Sequence, residues 1–77
     1  MYTIIGRWDC IWCDKAAKLL EIKNEVYKYY LYHDHPLTKL LMKVAKLNTL
    51  PQIWDGDHYI GGYAELEVYL KDKESKL

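Results

Sequence analysis

Apolar residues change their spacing several times along the 77-residue chain, and each change marks an element. Tyr2 to Ile5 is a short apolar, β-branched run of the kind that fits a strand. From Cys13 onward, Ala16, Ala17 and Leu20 recur three, four and seven positions later, with Lys15, Lys18 and Glu21 facing away. That period predicts a helix with one apolar face, ended at Asn24. Glu25 to Tyr32 (EVYKYYLY) is dense in strand formers and reads as a strand partly covered by helices rather than as a binding surface. Asp34-His35-Pro36 opens a second helix, because proline suits the first turn, and Leu37, Leu40, Leu41, Val44 and Leu47 trace one helical face.

Gln52 to Trp54 and His58 to Ile60 flank Asp55-Gly56-Asp57, a turn signal that predicts a tight antiparallel hairpin. Gly61-Gly62 breaks that strand. Ala64 to Lys71 resumes helical spacing through Leu66, Tyr69 and Leu70, and the end KDKESKL is expected to fray. The order β-α-β-α-β-β-α defines an α/β protein. Its strand-helix-strand opening requires a parallel pair with a right-handed crossover, and the hairpin adds an antiparallel edge.

Seventy-seven residues make one domain, 1–77, close to the lower limit for a chain that folds without staples. Eleven basic residues balance eleven acidic ones, which removes any electrostatic case for nucleic acid or membrane binding. The N-terminus, MYTIIGRWD, lacks the basic region and apolar core of a secretion signal, and no apolar run reaches membrane-spanning length. A reducing cytoplasm is therefore expected, where paired cysteines serve catalysis or metal binding more often than structure.

Both cysteines of the chain lie in GRWDCIWCD, three residues apart. A structural disulfide, half of a metal site and a redox pair compete. So small a loop removes little freedom from the unfolded chain, which argues against a structural role. A zinc site needs two further ligands, and the nitrogen candidates His33, His35 and His58 lack the usual spacing and read as surface histidines. Cys10 falls at the end of the loop after the first strand and Cys13 in the first turn of the helix. There, free N–H groups and the positive end of the helix dipole favour a Cys10 thiolate, and the spacing brings the Cα atoms within disulfide range. Arg7 and Lys15 would add to that stabilisation, whereas Asp9 and Asp14 oppose it.

Four segments together resemble the glutaredoxins of the thioredoxin superfamily, in their small bacterial or bacteriophage form: Gly6-Arg7-x-x-Cys10-x-x-Cys13, Thr49-Leu50-Pro51-Gln52-Ile53, Ile60-Gly61-Gly62-Tyr63, and Glu65. The resemblance implies a thioredoxin-like fold, a four-stranded mixed sheet flanked by three helices, with a cis Leu50–Pro51 bond opposite the cysteines. It implies Cys10 as nucleophile, Cys13 as resolving thiol, and glutathione as reducing co-substrate, with no metal. Glutathione would lie against Trp12, Leu50, Pro51, Tyr63, Ala64 and Glu65, with Arg7 and Gln52 as partners for a carboxylate. Protein disulfides, ribonucleotide reductase among them, are the implied substrates of a cytoplasmic monomer, host-cytoplasmic if phage-encoded. Blander roles stand beside these. Trp12 would cover a helix end, Gly61-Gly62 would be a turn, and Glu65 would match the helix dipole.

The chain departs from the common Cys-Pro-Tyr-Cys motif, with Ile11 and Trp12 between its thiols, and Ala64 stands where relatives often carry a hydroxyl or thiol. Loss of that proline restores a backbone N–H at the helix start. Some proline-lacking relatives bridge an iron-sulfur cluster in a glutathione-linked dimer, which keeps a cluster module as one alternative. The other is recharging by thioredoxin reductase. Relatives of that kind carry a W-S-G-F-like segment where this chain has Ile60-Gly61-Gly62-Tyr63.

Overall fold

A computed structural model of the chain describes residues 1–75. In chain order the elements are β1 (Tyr2–Gly6), α1 (Ile11–Ile22), β2 (Tyr27–Leu31), α2 (Pro36–Val44), β3 (Gln52–Asp55), β4 (His58–Gly61) and α3 (Tyr63–Ser75). The four strands form one mixed sheet in the order β2-β1-β3-β4. β1 runs parallel to β2, pairing Ile4 with Tyr29, and antiparallel to β3, pairing Ile4 with Ile53. This is the thioredoxin-like fold implied by the sequence.

Strand alternation decides which side chains meet which helices. Tyr2 and Ile4 of β1 and Ile53 of β3 share one face with Ala16 and Leu20 of α1 and Leu66 and Leu70 of α3. These seven residues are the core cluster, and Ile4, Ala16, Leu20, Ile53 and Leu66 are fully buried. Tyr27 and Tyr29 of β2 pack against its margin. Ile5 and Thr3 point to the opposite face, beside Tyr30, Trp54 and the single helix α2.

Several element boundaries differ from the sequence expectation. α1 begins at Ile11, because Cys10 takes extended angles as its N-cap. It ends where Asn24 adopts a positive φ of 58°, a conformation asparagine tolerates well. Gly61 still pairs with Ile53, so the strand breaks after Gly61, next to an irregularity in register between Ile53 and Trp54. The expected fraying from Lys71 is also corrected, since α3 continues through Ser75. Lys23 reaches Glu74 at 2.6 Å and Lys73 reaches Glu25 at 3.5 Å, which ties this last stretch to the end of α1 and the start of β2. Lys76 and Leu77 lie outside the described residues.

The apolar face traced through α2 does not pack on the sheet. Leu37, Leu40 and Val44 are 76%, 56% and 72% exposed, while Thr38 and Met42 are the buried pair. The Thr38 hydroxyl hydrogen-bonds the carbonyls of Tyr32 and His35, so the chain leaving β2 fixes the helix phase and aims positions 38 and 42 inward. Local hydrogen bonding has overridden the apolar stripe. Leu66→Ala should therefore cost about 2–5 kcal/mol. Leu37→Gln and Val44→Gln should each stay within about 0.5 kcal/mol of the parent chain, as read from urea unfolding midpoints.

Candidate active site

The N-terminus of α1 is capped by a sulfur atom. Cys10 Sγ accepts the Cys13 backbone N–H at 3.2 Å, a place usually taken by a serine or aspartate oxygen. Asp14 N–H donates to the Cys10 carbonyl at 3.1 Å, which closes the first helical turn. Cys10 and Cys13 are joined as a disulfide with Cα atoms 5.2 Å apart. The two are unequally placed, because Cys10 is partly exposed whereas Cys13 is fully buried. When the bridge opens, the N–H and helix dipole that meet Cys10 Sγ stabilise its thiolate.

The charged neighbours are engaged elsewhere. Arg7 Nε stands 3.8 Å from Asp9 in an exposed pair, and Lys15 Nζ lies 4.6 Å from the centre of the Trp12 ring. Asp14 acts on Tyr29, whose phenol is pushed up first by burial and then by that carboxylate. Tyr29 also explains Gly6. A Cβ there would approach Tyr29 Cζ to 2.7 Å and Cys13 Cβ to 3.1 Å, so the missing side chain lets β1, β2 and the cysteine turn close on one another.

Opposite the cysteines, the Leu50–Pro51 peptide is cis, and Leu50 O lies 4.0 Å from Cys10 Sγ. Gln52 holds this loop from within. Its buried amide donates to Thr49 O at 2.8 Å and Thr49 Oγ1 at 3.1 Å, and its oxygen accepts the Tyr59 hydroxyl. The Gln52 amide, expected as a partner for a ligand carboxylate, is thus buried and bonded within the protein. Thr49 and Tyr59 carry this support and were not singled out from sequence as site residues. Tyr59 could have been found from the hairpin, which returns it alongside β3 two residues from Gln52.

Gly61 has a φ of +126°, open to glycine alone, and a Cβ on it would sit 3.0 Å from Glu65 Cγ. The double glycine makes room for Glu65 to fold back and accept the Gly62 N–H at 2.8 Å. That is the returning half of a capping box at the start of α3, readable as Gly62-x-x-Glu65. Glu65 consequently places its charge at the helix N-terminus, beside Tyr59, whose phenol is pushed up by burial and then by this carboxylate.

These elements enclose a groove of about 280 Å³ that brings together six of the expected residues: Trp12, Leu50, Pro51, Tyr63, Ala64 and Glu65. Trp12 and Tyr63 form its aromatic wall, with ring centres 5.5 Å apart. Arg7 is not among them. It lines a separate cavity of about 400 Å³ with Cys10, Leu47 and Leu50. Among the described residues there is no group of three or more His, Cys, Asp or Glu placed to hold a metal ion. No helix described is long and apolar enough to cross a membrane.

A capped, partly exposed cysteine bridged to a buried one on a thioredoxin-like fold defines a thiol-disulfide oxidoreductase. No family model matches the chain. It is 35% identical to the glutaredoxin of Haemophilus influenzae over 79 residues, covering 92% of this chain and 91% of that protein. It is 31% identical to the glutaredoxin of Enterobacteria phage T4 over 75 residues, covering 80% and 85%. The buckwheat glutaredoxin-glutathione complex shares the fold with a TM-score of 0.79 at 17% identity, covering 94% of this chain and 69% of that one. The chain belongs to the glutaredoxin family. After reduction, iodoacetamide should modify Cys10 well before Cys13, because only Cys10 meets solvent. Mass spectrometry of a quenched time course would follow the order, and simultaneous labelling would contradict the assigned roles.

Proposed function

We propose that the chain is a glutathione-dependent oxidoreductase that reduces protein disulfides and mixed glutathione disulfides as a cytoplasmic monomer. The observation that carries this reading is the groove of about 280 Å³ walled by Trp12 and Tyr63 and floored by the Leu50–Pro51 turn, whose Leu50 carbonyl lies 4.0 Å from the partly exposed Cys10 sulfur. An extended tripeptide would pair its backbone with Leu50 there, and its ammonium would meet Glu65. Arg7 would reach a glutathione carboxylate by leaving Asp9, which costs little for so exposed a pair. Gln52 supports the groove through Thr49 rather than by touching the ligand.

The Cys10 thiolate attacks one sulfur of a substrate disulfide, and the other leaves as a thiolate that takes a proton from water. Cys13, losing its own proton, then attacks Cys10 Sγ and releases the remaining substrate thiol. Two electrons have passed to the substrate, and the protein holds the Cys10–Cys13 bridge. Two glutathione molecules restore the dithiol through a mixed disulfide and leave as glutathione disulfide. Ribonucleotide reductase, whose turnover oxidises a dithiol, is the proposed protein substrate, as the likeness to short bacterial and phage glutaredoxins implies.

NADPH consumption coupled through glutathione and glutathione reductase should give turnover that Cys10→Ser abolishes. Cys13→Ser should retain reduction of small mixed glutathione disulfides. Trp12→Ala should raise the KM for glutathione about two- to tenfold, the scale of one lost aromatic contact. Turnover with thioredoxin reductase alone would overturn the glutathione reading. A visible sulfur-to-iron absorption band in a protein without turnover would replace it by a cluster module.

A further inference from the structure

Cys10 borders a second cavity, about 400 Å³, on the side that Arg7 occupies. It is the larger of the two spaces beside the site, and both share Thr49 and Leu50. Its lining is mixed. Met42, Leu47 and Leu50 offer apolar surface, Arg7 and His33 are its basic residues, and no aspartate or glutamate lines it. The nearest acid by contact is Asp9, held to Arg7 at 3.8 Å across exposed surface, and Asp34 follows His33 in sequence. From His35 to Trp54 the chain has no acidic residue and carries Lys39, Lys43 and Lys46.

We infer that this cavity receives the polypeptide arm of the substrate disulfide, and that it selects an apolar side chain followed by a carboxylate next to the substrate cysteine. The inference rests on the glutathione-dependent reading above, in which the smaller groove holds glutathione. The apolar side chain would lie on Leu47 and Met42, leaving water as those surfaces do. The carboxylate would replace Asp9 as the partner of Arg7, which turns to a glutathione carboxylate only after this arm has left, and would accept a hydrogen bond from the His33 imidazole. During exchange, Cys10 Sγ bonds to the substrate cysteine sulfur while the second substrate sulfur departs as a thiol. The cavity therefore holds the arm that stays attached until Cys13 displaces it.

The test uses two peptides, each with one internal disulfide, in which the attacked cysteine is followed by Leu-Glu in one and Gly-Lys in the other. Wild-type kcat/KM should be about tenfold higher for the Leu-Glu peptide, a modest share of what full burial of a leucine is worth. Leu47→Glu and His33→Glu should each bring the ratio to within about twofold. Turnover of a small mixed glutathione disulfide and the KM for glutathione should not change. Equal wild-type rates, or a ratio that survives both variants, would overturn the proposal. A raised glutathione KM in these variants would also overturn it, by assigning the cavity to glutathione. Absent small-disulfide turnover in the wild type would instead refute the glutathione reading. Should Leu47→Glu lose its fold, seen as lost helical circular dichroism, exposed His33→Glu decides alone.

Discussion

The site depends on one contact, the Cys13 N–H held against Cys10 Sγ at the first turn of α1. It makes a sulfur atom into a structural cap, so the geometry that starts the helix also fixes the proposed nucleophile. A thiolate there receives a hydrogen bond and the positive end of the helix dipole without any basic side chain touching it. This matters here, because Arg7 is occupied by Asp9 and Lys15 by the Trp12 ring. The same turn places Cys13 one step inside, against β1, where it is fully buried. Exposure alone then separates the thiol proposed to meet substrate from the thiol proposed to resolve it.

Three packing arrangements hold that turn in place. Ala16 and Leu20 anchor α1 between the sheet and α3. Gly6, lacking a side chain, allows Tyr29 and Cys13 to meet over the end of β1. Gln52 ties Thr49 and Tyr59 together, so the loop bearing Leu50 is braced from the hairpin behind it. Each arrangement uses a residue whose contacts lie within the protein. Small losses in them would be read as losses of activity, since a misplaced sulfur or loop disrupts alignment before it disrupts the fold.

Element order was legible because apolar spacing switches cleanly between the strand and helix periods, and the turn residues Asn24 and Gly56 carry the positive φ values expected of such punctuation. The cysteine pair and the six groove residues were legible from motif and resemblance. The phase of α2 was not. Its apolar stripe predicts the wrong inward face, because the Thr38 hydroxyl bonds and the entry from β2 decide the rotation. Gln52 was equally opaque. A polar residue beside a ligand loop reads as a ligand contact until its burial and its bonds to Thr49 and Tyr59 are seen. The Arg7 cavity is assembled from the β1 loop, the end of β2 and the segment after α2, and no local pattern encodes such a meeting.

The positions of the two cavities give the exchange a direction. A disulfide has two arms, and an incoming thiolate must approach one sulfur along the bond to the other. With Leu50 shared between both spaces and Cys10 bordering the larger, the arms can lie on opposite sides of a single backbone turn. One side is shaped by aromatic rings and a helix N-terminus, the other by aliphatic side chains and positive charge. On the proposed reading, such asymmetry would let one sulfur atom distinguish a tripeptide from a polypeptide without moving. The helix start that fixes Cys10 would then suffice for both halves of the proposed cycle, with no mobile lid needed to order them.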